Sequence, residues 1–99
     1  MKKLTKKQRH KVYKQALHEY ITNNGFGLCF AIDKALHEFD FTCDEGLIYP
    51  GLSPYRFMKS YPEIHKHKQI ALFTGGYWWD KSDRKSRIEV LKQTIKETE

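Results

Sequence analysis

The chain has 99 residues, of which 39% are hydrophobic and 14% aromatic, with a mean hydropathy of −0.73 and a net charge of +6. That is the size of one domain with a thin core, in which large rings supply much of the buried area. No apolar run approaches the ~20 residues that cross a bilayer, the lysine-rich start lacks the apolar stretch of a secretory signal, and Cys29 and Cys43 are too few for a disulfide framework. A single cytoplasmic domain over residues 1–99, with reduced thiols, is the expectation.

The first predicted helix opens at Thr5, which with Gln8 fits a capping box. Val12, Tyr13, Ala16, Leu17, Tyr20 and Ile21 form its apolar stripe, and Asn23-Asn24-Gly25 ends it. Lysines and Arg9 fill the other face, the pattern of a solvated helix surface. Residues 1–18 carry +7, whereas residues 19–50 carry −5, so the acidic middle can satisfy the basic start within one fold or across a homodimer.

A second helix of about a dozen residues follows Gly25-Phe26-Gly27, with Leu28, Cys29, Ile32, Ala35, Leu36 and Phe39 inside. Residues 41–52 read as an irregular connection. Ser53-Pro54 opens a short third helix with Ser as N-cap, Phe57, Met58 and Tyr61 inward, and Pro62 as its stop. A basic loop, Glu63-Ile64-His65-Lys66-His67-Lys68-Gln69, precedes the apolar run Ile70-Ala71-Leu72-Phe73, which suits a strand or a buried loop. The last helix spans about Ser82 to Glu97, with Ile88, Leu91 and Ile95 inside. The sequence thus predicts a mostly α domain of about four helices, with a short non-helical or β insert before the last one.

The chemistry concentrates around that insert. Tyr77, Trp78 and Trp79 stand behind Gly75-Gly76, and Lys81, Arg84, Lys85 and Arg87 load the start of the last helix with cations, the end its dipole disfavours. Arg84 and Arg87 fall on the same stripe as Ile88, Leu91 and Ile95, so they extend the core-facing side toward the aromatic segment. Guanidinium groups stack on rings and grip phosphate with paired donors. Aromatic surface, forked cations and helix amides together suit a nucleotide-like anion, with His65, Lys66 and Lys68 as supplementary contacts. The plainer reading is that Trp78 and Trp79 close a small core, with the arginines stacked on them or paired with Asp80 and Asp83.

Other constellations are weaker. His65 and His67 have metal-ligand spacing but lack a third ligand and have lysine neighbours, so no metal is expected. Cys29 sits in a first helical turn, where a thiol pKa can fall, yet neither His18 nor His37 is marked as its base, and its place on the apolar stripe suits a small hydrophobe. No enzyme and no cofactor are expected. A Lys-rich first helix with an aromatic segment also suits single-stranded nucleic acid, although no helix-turn-helix, zinc-finger or RNA-binding signature is present. Exposed Trp and Tyr as anchors of a protein–protein adaptor or inhibitor are a third reading.

Gly-Leu-Cys-Phe-Ala-Ile at 27–32, Tyr61-Pro62-Glu63-Ile64, Tyr77-Trp78-Trp79, and Arg87-Ile88 with Leu91 occur in an order that resembles small bacteriophage proteins of unknown function. Those proteins share a Cys-x-Ala/Leu helix, a Tyr/Phe-Pro-Glu turn, a Trp-rich segment and a terminal Arg-Ile-x-x-Leu helix. The resemblance implies a non-enzymatic protein of the host cytoplasm that binds host proteins or sequesters nucleotide signals of host immunity.

Overall fold

The computed structural model describes residues 4–23, 27–38, 54–64, 66 and 82–99. Among them are four helices and no strand: α1 (Lys6–Thr22), α2 (Leu28–Glu38), α3 (Pro54–Ser60) and α4 (Arg84–Glu97). The protein is mostly α, as the sequence pattern predicts. The apolar run at 70–73, expected as a strand or buried loop, lies outside the described residues.

Helix α1 is the centre of the packing: it lies most extensively against α2 and next against α4, while α3 packs on α2. Its start is fixed by the predicted capping box. The Gln8 amide donates to Thr5 Oγ1 at 3.1 Å, and the Thr5 amide donates to Gln8 Oε1 at 2.9 Å. Val12, Tyr13, Ala16 and Tyr20 then bury one stripe of α1 against Ala31, Ile32, Ala35 and Leu36 of α2. Alanines at three of these eight positions let the two backbones approach closely. Ile21, read from its spacing as part of the stripe, is instead 50% exposed, because it lies at the trailing edge of the face in the last turn.

Helix α4 runs antiparallel to α1, as side-chain contacts at both ends show. Near the start of α1, the His10 Nδ1–H donates to the Ile95 carbonyl at 3.0 Å, next to Thr98. At its far end, Tyr20 meets Arg84. The buried residues of α4 are Val90, Leu91 and Thr94, with Ile88 and Ile95 only partly covered. The buried face is therefore turned slightly from the predicted Ile88–Leu91–Ile95 line. Two threonines fit there because each hydroxyl donates to a carbonyl of its own helix, Thr94 to Val90 and Thr98 to Thr94, both at 2.9 Å.

Pro54 occupies the first position of α3, as predicted, and Phe57 and Met58 are fully buried. The Phe57 ring meets Tyr13 edge-on at 5.6 Å and Tyr61 at 5.4 Å. Burial of a ring this size contributes about 2–3 kcal/mol. The turn after α3 is less loop-like than its polar sequence predicts. Ile64 is wholly buried, and Glu63 accepts from Arg9 Nε at 2.6 Å and from the Tyr13 hydroxyl at 3.3 Å. Arg9 also donates to the Leu4 carbonyl at 2.8 Å and lies 4.8 Å from the Tyr61 ring centroid. Arg9 is thus a tie between α1 and the turn rather than part of a solvated face. Burial, and then the Glu63 carboxylate, hold the Tyr13 phenol protonated far above its ordinary range.

Candidate anion-binding site

The geometry around the start of α4 begins with its cap. Asp83 is the N-cap, with extended backbone, and its carboxylate accepts from the Ser86 amide at 2.7 Å. The helix therefore starts at Arg84, two residues after the Ser82 that the sequence predicts. The Ser86 amide and hydroxyl, and then the charges of Arg87 and Lys85, hold the exposed Asp83 carboxyl below the usual carboxylate value. With the cap at Asp83, Arg84 is the first helical residue, and Arg84, Arg87, Leu91, Thr94 and Thr98 recur at three- and four-residue spacing along the face turned to α1.

That face carries both arginines onto one ring. The Arg84 guanidinium carbon is 4.3 Å from the Tyr20 ring centroid, and that of Arg87 is 6.0 Å from the same centroid. Tyr20 is only 1% exposed. Arg84 also donates from Nη2 to the Tyr20 backbone carbonyl. This carbonyl belongs to the last turn of α1, where carbonyls lack partners within the helix and the dipole is negative. The last turn of α1 has no basic residue of its own, so Arg84 supplies the cation from α4. Its neighbour Glu19 is served differently: the Asn23 amide and side-chain nitrogen both donate to the Glu19 carbonyl, at 3.0 and 3.1 Å.

Among the described residues, the Arg87 hydrogen bonds all go to backbone carbonyls. Its Nη2 donates to the Ser82 carbonyl at 2.6 Å and its Nε to the Asp83 carbonyl at 3.2 Å. Neither arginine forms an ion pair with a described carboxylate. Asp83, the acid beside them in sequence, has its oxygen on the Ser86 amide. Each guanidinium carries five N–H donors; toward the described residues Arg84 commits one and Arg87 two. Two half-buried positive charges therefore approach one aromatic ring, and among the described residues their hydrogen bonds go to peptide oxygens.

The other predicted contacts separate into two groups. Tyr77, Trp78, Trp79, His65 and Lys68 lie outside the described residues. Lys66 is described and does not join the arginines: it forms an ion pair with Glu97, in the last turn of α4. That is thirteen residues from Arg84, or about 20 Å along the helix axis. Tyr20, which its spacing predicts as a core residue, is buried there and also receives both arginines, a second role that depends on the antiparallel approach of α4.

The remaining chemical candidates are structurally modest. Cys29 is partly buried against the core, as a small hydrophobe would be. His18 is exposed on α1, and His37 is exposed with its Nδ1–H donating to the Asp33 carbonyl at 2.8 Å. Among the described residues, no three His, Cys, Asp or Glu side chains gather as a metal ion would require, and no helix is long and apolar enough to cross a membrane. Comparison of the chain with protein-family models, with curated proteins and with solved structures gives no match.

Proposed function

We propose that this protein is a non-catalytic binding protein that holds an anionic, nucleotide-like ligand at the start of α4. One observation carries the reading: Arg84 and Arg87 are held on the Tyr20 ring, and among the described residues no carboxylate pairs with either. Two like charges fixed this close repel each other, and a phosphate or carboxylate bridging their free donors relieves that repulsion. Guanidinium forks match such groups in geometry as well as charge. The sequence adds Tyr77, Trp78 and Trp79 a few residues upstream as the stacking surface for a base.

Arg87 is the residue we assign to the ligand first, and Arg84 divides its donors between the ligand and the end of α1. Lys66 has a structural partner in Glu97, at the far end of α4, and takes no part in the site. The resemblance to small phage proteins supports sequestration of a nucleotide signal as the biological role, with counter-defence as its context.

The test is a thermal-shift series with inorganic phosphate, mononucleotides and cyclic nucleotides. A ligand at 100 times its Kd adds about 2.7 kcal/mol, which raises Tm by roughly 10 °C or more in a domain of this size. The rise is expected with at least one nucleotide and is expected to vanish in Arg87→Met. A ligand-induced rise that survives in Arg87→Met would place the site elsewhere.

A further inference from the structure

The outer face of α1 has no counterpart in the site above. Lys7, Lys11, Lys14 and His18 recur at four- and three-residue spacing, which sets them in one row along the helix. All four are exposed, and none of the three lysines has an acidic partner among the described residues. Most other polar side chains of α1 are engaged: Arg9 with Glu63, His10 with α4, and Gln15 with Glu19 at 3.0 Å. The row is therefore set apart from the ties that hold the fold. It spans about 16 Å from Lys7 to His18 at 1.5 Å per residue.

A concavity of about 540 Å³ borders this row, with Lys11, Lys14, Gln15 and His18 among its walls. We infer that the outer face of α1 binds single-stranded nucleic acid through its phosphate backbone, as a second anion site independent of the arginine pair. A straight row of cations complements a linear polyanion, each lysine neutralising one phosphate. The apolar side of α1 argues against a bilayer as occupant: Val12, Tyr13, Ala16 and Tyr20 are buried in the core, so none is free to enter a membrane interface. His18, exposed at the end of the row, supplies a further hydrogen-bonding group. The contacts fall on the backbone, so binding is indifferent to base sequence.

The experiment is fluorescence anisotropy of a labelled oligothymidylate of about 12 nucleotides, a length within the range one small domain covers. Three phosphate contacts predict a slope of log K against log salt near −2, and so a loss of roughly 20-fold between 50 and 200 mM salt. The triple variant Lys7→Gln, Lys11→Gln, Lys14→Gln is expected to abolish the slope and the binding. Gln matches Lys in helix propensity, so its thermal melt should coincide with the parent's. An Arg87→Met protein is expected to retain oligothymidylate binding, which separates this site from the proposed ligand site. The inference is overturned if the parent does not bind at low salt, or if the triple variant binds as the parent does. It is also overturned if phosphatidylserine vesicles bind in place of the oligonucleotide, or if the lysines instead mediate a concentration-dependent dimer that the triple variant loses.

Discussion

Replacing Arg84 with Met keeps a long side chain in place but removes its charge, its stack on Tyr20 and its donor to the Tyr20 carbonyl. The cation–π contact, at 4.3 Å and half-buried, contributes about 1 kcal/mol. The hydrogen bond from a charged donor is worth about 1.5–3 kcal/mol when fully sheltered, and about 1 kcal/mol after allowing for solvent at this half-exposed end. The expected loss is therefore about 2 kcal/mol, a fall in Tm of roughly 10 °C for a domain of this size. Differential scanning calorimetry of the parent and the variant reads it directly. A double-mutant cycle with Tyr20→Leu isolates the ring, because that change spares the backbone carbonyl, and should give a coupling of about 1 kcal/mol. Arg87→Met, whose guanidinium sits farther from the ring and bonds only to the backbone before its own helix, should lose well under 1 kcal/mol. Melts of Arg84→Met and the parent that coincide would refute the bridging role given to Arg84. So would equal losses from both arginine variants.

Three further outcomes follow from the packing. Glu63→Gln breaks the ion pair with Arg9, whose side chains are 20% and 17% exposed; between the values for surface and buried pairs, the expected loss is roughly 2 kcal/mol in a urea melt. The buried Tyr13 phenol keeps its proton in the folded state while the unfolded chain loses its own near pH 10, so its contribution is whole below that pH. Above it, stability falls by up to about 1.4 kcal/mol per pH unit, an increment that Tyr13→Phe should lack when the two are compared by denaturation across pH 9 to 12. The Asp83 carboxyl, held low by the Ser86 amide, supports the start of α4 above the usual carboxylate range and ceases to as acid protonates it; Asp83→Ala should show reduced helical circular dichroism at neutral pH and no further change from this cap on acidification.

The helices were legible because their signals are local. Thr5 with Gln8, the stripe from Val12 to Tyr20, and Pro54 at a first position each depend on residues within a turn or two of one another. Where the structure departs from the pattern, a partner distant in sequence is responsible. Arg9 reads as solvated until Glu63, 54 residues away, is brought to it by the turn after α3. Ile64 reads as part of a basic loop because its neighbours are polar, yet it is wholly buried in the core. The α4 stripe was placed correctly enough to put Arg84 and Arg87 on the inner side, but hydropathy cannot predict that threonines with internally satisfied hydroxyls would be buried at 94 and 98. The pairing of both arginines with Tyr20 needs the antiparallel register of α1 and α4, which no spacing within either helix encodes. The aromatic half of the candidate site, Tyr77 to Trp79, lies outside the described residues.

The most direct test of the anion-binding account is native mass spectrometry of the protein purified gently from cells, followed by denaturation and identification of any small molecule released. The account predicts a mass excess that resolves into a phosphate-bearing, nucleotide-like anion, present on the parent and absent from Arg87→Met. A parent that carries no adduct and takes up no nucleotide when one is added would contradict it.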